Sequence, residues 1–329
     1  MATDPVPFFV GQAGVRHSAE TVRLGLYAST GGAEGVAGVS DLKVQAQAVP
    51  NGTVRVLTGG ALLLNRYAGG SNQSYALRNA TATDVTVTPT GSGGGRTDLV
   101  VARILDTQYE GTPPADVNAF EYSRIVTIQG VPAGTTTAKE LNLGYPAIAL
   151  AKITLPASTG TVTAAMITDL RRVAIPRRDR AMSTVFPTGK WQLGTGQQIP
   201  AGAYGTWPLK DAQRLSVYVP EWATRVDILV HLSGVVYVKS NDSNQTAAAV
   251  RTTFGTTTPG ESGILAQDGD DAGSRMHYTV IGTHLIPSAM RGTTQLLGVQ
   301  GNKTVGTGRW YGDDQTSVVL DWEFSEGAQ

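Results

Sequence analysis

No cysteine occurs in the 329 residues, which excludes disulfides, thiolate metal sites and cysteine nucleophiles. Charge is scarce too: Asp, Glu, Lys and Arg make up 16% of the chain, against a usual ~25%. The 26 basic and 26 acidic residues cancel, so no global field draws the chain to nucleic acid or an anionic membrane. No apolar run approaches the ~18 residues of a bilayer span. The start, MATDPVPFFVGQAGVRHSAE, lacks a basic segment followed by a sustained apolar one. The expectation is therefore a soluble protein made in a cytoplasm without a secretory signal. HExxH, GxSxG and GxxxxGK[ST] do not occur, and SGGGR at 92–96 runs into a strand-like segment rather than a phosphate-binding helix.

What the chain has instead is 40 glycines, as many threonines and 41% hydrophobic residues. Gly and Thr are poor helix formers and Thr suits strands, while that much apolar material fills real cores. The composition predicts a mainly all-β protein of two β-rich domains. The first is an N-terminal β module over residues 1–172 with one short helix. An Arg-rich linker follows at 173–186, and a C-terminal β-sandwich head of jelly-roll or immunoglobulin-like type occupies 187–329. In the first, TVRVLTGGALLLN from Thr53 reads as a hairpin across Gly59–Gly60. DVTVTPT, RTDLVVARILD, EYSRIVTIQGVPAG and ALAKITLPA supply further strands, the second of them apolar enough to be buried on both faces. HSAETVRLGLYAS has a capping residue in Ser18, yet its apolar Val22, Leu24 and Leu26 favour a strand. VTAAMITDLRRV, with Thr163 as cap and Pro176 as stop, is the better helix.

RRVAIPRRDR at 171–180 carries five arginines and one acid. A solvated linker is the preferred reading over a phosphate-binding patch, because no aromatics interleave. Beyond it, WQLGTGQQIPAGAYGTWPL, AQRLSVYVPEW, TRVDILVHLSGVVYV, RMHYTVIGTHLIP, TTQLLGVQGN and TSVVLDWEF read as six to eight strands at sandwich-like spacing. No fixed-period repeat is present.

Candidate chemistry is thin. His17, His231, His277 and His284 show no tight metal spacing; His231 reads as buried and hydrogen-bonded. His277 and His284 fall on opposite strand faces unless Gly282 bends the strand. Asp268, Asp270 and Asp271 are weak candidates for Ca²⁺, but no EF-hand pattern surrounds them and ordinary turns are the preferred reading. No cofactor or metal is expected. All five tryptophans fall after residue 186. Trp207, Trp222 and Trp322 read as sandwich core. Trp310 and Tyr311, in the turn-rich GTGRWYGDD with Arg309, Asp313 and Asp314 beside them, read as an exposed tip. Exposed aromatic faces suit sugar rings or protein partners, so these five residues form the candidate ligand site.

Six ordered blocks carry a resemblance: GVSDLKV at 38–44, GGALLLNRYAGGSNQSYALRN at 59–79, TDLVVARILD at 97–106, QGVPAG at 129–134, ALAKITLPA at 149–157 and MITDLRR at 166–172. Residues 35–172 thus resemble the N-terminal module of minor tail, baseplate and receptor-binding proteins of actinobacterial siphophages. Between 133 and 146 the chain departs from the Pro-rich connection of that pattern. The resemblance implies a virion protein made in the host cytoplasm, without catalytic residues. It also implies other phage tail proteins as partners, a homotrimer, no nucleic acid and no membrane insertion, and a C-terminal head binding a host-surface receptor or cell-wall glycan. A glycan-cleaving tail enzyme and a purely architectural baseplate connector are the alternatives.

Overall fold

The computed structural model describes residues 18–239, 246–257, 259–260, 263–267 and 274–327. His17, Asp268, Asp270 and Asp271 lie outside the described residues. The chain is mostly antiparallel β-structure and divides into two compact units, Met1–Pro176 and Arg177–Gly327.

The first unit contains helix α1 (Ala19–Thr30) and strands β1 (Gly35–Val36), β2 (Val44–Ala46), β3 (Thr53–Val56), β4 (Gly59–Leu64), β5 (Ser74–Asn79) and β6 (Thr83–Thr86). It continues with β7 (Arg96–Ile104), β8 (Ser123–Ile128), β9 (Ala147–Leu155) and β10 (Ile167–Asp169). Three sheets result, ordered β1-β4-β5, β2-β3-β6 and β10-β9-β7-β8. The apolar run of β7 has a direct cause. Its Val100, Ala102 and Ile104 enter one core cluster, while Leu99 and Val101 enter another. A strand covered on both faces loses the alternating pattern.

Three local expectations fail here. The segment from Ser18 is a helix: the Ser18 hydroxyl accepts from the Thr21 N–H at 3.1 Å and closes the first turn. Its buried residue is Arg23, not an aliphatic one, so the Val22/Leu24 spacing does not mark a core face. Arg23 reaches Gln73, Asp106 and Gln108 at 2.6–3.1 Å. The predicted helix after Thr163 shrinks to one 3-10 turn, Ala164–Met166, before the chain turns extended. There Ile167 pairs with Ile153 and β10 completes a sheet edge; that ladder outweighs the helix propensity of three residues. β3 and β4 are strands, but not one hairpin. β3 pairs β2 and β6, whereas β4 pairs β1 and β5. Gly59, at φ +150°, lets the chain change sheets where a Cβ would meet Asp41 at 2.5 Å.

The six sequence blocks interlock within this unit. Arg171, its side chain 1% exposed, binds Asp169 at 2.7 Å and donates to the carbonyls of Val39 and Asp41 at 2.9 and 2.6 Å. Asp41 in turn accepts from the Gly60 N–H at 3.0 Å. Asp98 accepts from the Gly130 N–H at 3.0 Å, and the third and fifth blocks pair along β7 and β9.

The second unit opens with β11 (Arg178–Val185), β12 (Gln197–Gln198), β13 (Gly205–Thr206), β14 (Leu215–Tyr218), β15 (Arg225–Val238) and β16 (Thr246–Phe254). It closes with β17 (Gly263–Gln267), β18 (Ser274–Leu285), β19 (Thr294–Val305), β20 (Arg309–Gly312) and β21 (Ser317–Ser325). One sheet runs β11-β21-β15-β18, with β20 extending the β21 side of β15 and carrying β12. The other runs β14-β19-β16-β17, with β13 also on β19. This alternation of strands between two antiparallel sheets is the double Greek key of a jelly roll. Ile199, Trp207, Ile228, Phe254, Leu297, Trp310 and Phe324 belong to the core between the sheets.

The stretch expected as a linker is therefore not one. Arg178–Val185 pairs over eight residues with β21. Its arginines find carboxylates on that neighbour: Arg178 binds Glu323 at 3.0 Å and Arg180 binds Asp321 at 2.5 Å.

Candidate ligand-binding surface

The five residues expected at an exposed tip fall on a short strand and the turn after it, and alternation splits them. In β20, Arg309 is exposed and Trp310 is fully buried. The Trp310 indole lies 5.1 Å from the Tyr237 ring and points its N–H toward the Tyr278 hydroxyl at 3.4 Å. Trp310 is thus core, not a sugar platform. The reason is pairing: Tyr237 and Trp310 stand opposite each other in the ladder with β15, so the glycine-rich flanks bound a strand rather than form a loop. Tyr311 points the other way, its hydroxyl donating to Gln198 at 3.1 Å.

Asp313 is buried, with a side chain 1% exposed, and takes both arms of Arg275 at 2.9 and 3.0 Å. Burial pushes its carboxyl up, yet the hydrogen bonds from Arg275 hold it below the usual carboxylate range. Asp314 is exposed in the turn, its N–H bonded to the Gly189 carbonyl. The five residues do not form one accessible constellation.

The histidines separate as strand alternation requires. His284 is buried, its two ring nitrogens 2.9 Å from the hydroxyls of Thr252 and Thr257. His277 is exposed on the opposite face, and Gly282 sits in regular register with Ile228. His231, expected to be buried, is exposed and lies 3.0 Å from the Thr279 hydroxyl across the β15–β18 ladder. A run of apolar letters hid the outward phase of that residue. Trp207 is fully buried, whereas Trp222 and Trp322 pack against the core while partly exposed. Among the described residues no group of three His, Asp or Glu is placed to hold a metal ion.

The outward face of the β11-β21-β15-β18 sheet forms a shallow depression lined by Arg180, Asp227, Leu229, Ile281, Asp321 and Glu323. Every acid there has an arginine: Asp321 pairs with Arg180, Glu323 with Arg178, and Asp227 with Arg225 at 2.7 Å. The Asp321 carboxyl is held down by the Arg180 hydrogen bond. A general acid for glycoside cleavage needs the opposite shift.

The outward face of the other sheet is built differently. Strands β13, β14, β16, β17 and β19 contain no Asp or Glu at all. Arg251, on β16, lies 3.7 Å above the Tyr204 ring and donates through Nε and one terminal nitrogen to Gln300 Oε1 at 3.2 and 3.0 Å. Motif reading passes over these residues because they stand far apart in the chain. Their signal is the missing acid in five strands, visible once those strands are grouped.

No protein-family model matches the chain, and no curated protein matches it. Among solved structures, it is similar to the infectious bursal disease virus VP2 subviral particle at 12% identity and TM-score 0.22, over 92% of this chain and 81% of that one. VP2 of the Gx strain gives 12% identity and TM-score 0.20, over 89% and 80% of the two chains. The mosquito-larvicidal Cry4Aa toxin from Bacillus thuringiensis gives 11% and 0.16, over 88% and 51%. At TM-scores this low the likenesses carry no argument about function.

Proposed function

We propose that the chain is a structural virion protein of a phage tail tip or baseplate. In this reading the first unit attaches to the tail and the jelly roll meets a host-surface receptor or glycan. The protein works as a homotrimer and performs no catalysis. The observation that carries the reading is the interlocking of the six sequence blocks. Residues such as Asp41, Asp98 and Arg171 are spent on holding one block to another, as a module specified by those blocks requires. The jelly roll adds a rigid platform whose outer faces are set by strand alternation, and folds of this kind host binding in many contexts, so the fold alone does not name the ligand.

Immunogold labelling of purified phage particles with antibodies to this chain tests the assignment. Label confined to one end of the tail is the expected result; a chain absent from the particles by labelling and mass spectrometry rejects it. Sedimentation equilibrium is expected to give a trimer. A monomer that binds neither host cells nor tail proteins would overturn the reading.

A further inference from the structure

The acid-free face of the jelly roll holds more than Arg251. Register places Arg214, just before β14, level with Gly298, and Thr253 is the partner of Gly298 on the other side. Gly298 has no Cβ, and one built there would meet Arg214 Nε at 3.1 Å, its Cγ at 3.3 Å and Thr253 Oγ1 at 3.5 Å. The glycine therefore makes the seat on which Arg214 lies. Arg251 is one same-face step from Thr253, roughly 7 Å along the strand. Arg214 and Arg251 thus stand on one face of the sheet, Arg251 reaching toward Gln300 and Arg214 toward the Leu296 carbonyl.

Among the described residues neither has a carboxylate partner. Arg251 is bound by a neutral amide and an aromatic ring, and Arg214 makes a 3.5 Å contact with the Leu296 carbonyl. Asp211, in the turn before Arg214, is held by the Thr206 hydroxyl. Eleven arginines among the described residues pair with acids; Arg78, Arg124, Arg172, Arg291 and Arg309 do not, and what distinguishes Arg214 and Arg251 is the acid-free sheet face that they share. Asn302 stands at the next outward position after Gln300.

We propose that this face binds an acidic glycan. Carboxylate or phosphate groups spaced along the glycan meet Arg214 and Arg251, whose planar forks match such oxyanions. Sugar hydroxyls meet the partly exposed Gln300, which both donates and accepts as hydroxyls do. The proposal takes the receptor-facing role of the second unit from the function proposed above.

The full-length protein, titrated calorimetrically with four polymers, tests it: polygalacturonate, phosphomannan, neutral dextran and poly-L-glutamate. At least one acidic glycan is expected to bind ten-fold or more tighter than dextran and poly-L-glutamate, and the two acidic arms distinguish carboxylate from phosphate. R214Q and R251Q are each expected to weaken binding at least ten-fold, with R178Q, on the opposite sheet, changing it less than two-fold. G298A, which disturbs the seat of Arg214 without removing a charge, covers the case in which an arginine variant misfolds; it is expected to weaken binding several-fold. Binding to neither acidic glycan overturns the proposal, as does equal binding of dextran. Equally tight poly-L-glutamate makes the partner an acidic protein instead. Affinity unchanged in the R214Q/R251Q double variant also overturns it. Failure here leaves the labelling of the tail unaffected, and absence from the tail leaves this titration unaffected.

Discussion

The two outer faces of the jelly roll carry opposite electrostatic arrangements on the same scaffold. On one, Arg178, Arg180 and Arg225 each meet an acid of their own sheet, and the face is neutral and internally satisfied. On the other, Arg214 and Arg251 lie among amides, hydroxyls and small residues with no acid in any strand beneath them. The difference teaches where recognition is stored. A charge already paired offers a newcomer little, because the existing bond must first be broken. A charge left on a neutral cradle keeps its oxyanion affinity for the ligand.

The comparison can be broken from its strongest pair downward. Asp313→Ala leaves Arg275 reaching toward a buried, empty acceptor position. It is expected to cost about 1.5–3 kcal/mol, the usual range for hydrogen bonds to a charged group, because the Arg275 side chain stays 29% exposed, read by urea melts of the full chain. Acidification comes next. Burial raises the Asp313 carboxyl but Arg275 holds it low, while hydrogen bonds from Arg180 and Arg177 lower Asp321 and Glu326. Groups with depressed folded-state values stabilise above the ordinary carboxylate range. That contribution disappears as pH falls through the folded values, so melting temperature should drop below about pH 4. R180M should flatten part of this slope; an unchanged slope would show that Asp321 does not contribute.

Gln300→Glu gives Arg251 a carboxylate and converts the open face into the paired kind. Stability is expected to rise by up to about 1 kcal/mol, while binding of acidic glycan falls at least ten-fold. Smallest in stability is Gly298→Ala, within about 0.5 kcal/mol, because the Arg214 side chain yields. A loss above 2 kcal/mol there would show Arg214 to be a structural strut.

Much of the architecture was legible in the letters. Two-residue periodicity exposed β9, β15, β18, β19 and β21, since each has a core face that alternation must serve, while β7 showed as an unbroken apolar run. β16 and β17 were missed: TAAAVRTTF and GILAQ are short of the aromatic and branched residues that mark strands. Trp310 was misplaced because glycines on both sides of RWYG look like turn residues, and the ladder that makes it a strand comes from Tyr237 of β15, far earlier in the chain. Arg214 and Arg251 carried no motif, since each is ordinary alone.

The sequence by itself determined the class of chain. Absent cysteine, balanced charge and abundant Gly and Thr lead to β-structure with turn-rich connections, and these are local preferences that every residue expresses wherever it stands. Only the tertiary structure decided which strands share a sheet, and with that which face each side chain meets. Pairing joins residues far apart in the chain. A shift of one position reverses every side chain, so Trp310 became core and Arg251 became surface for reasons no local pattern holds.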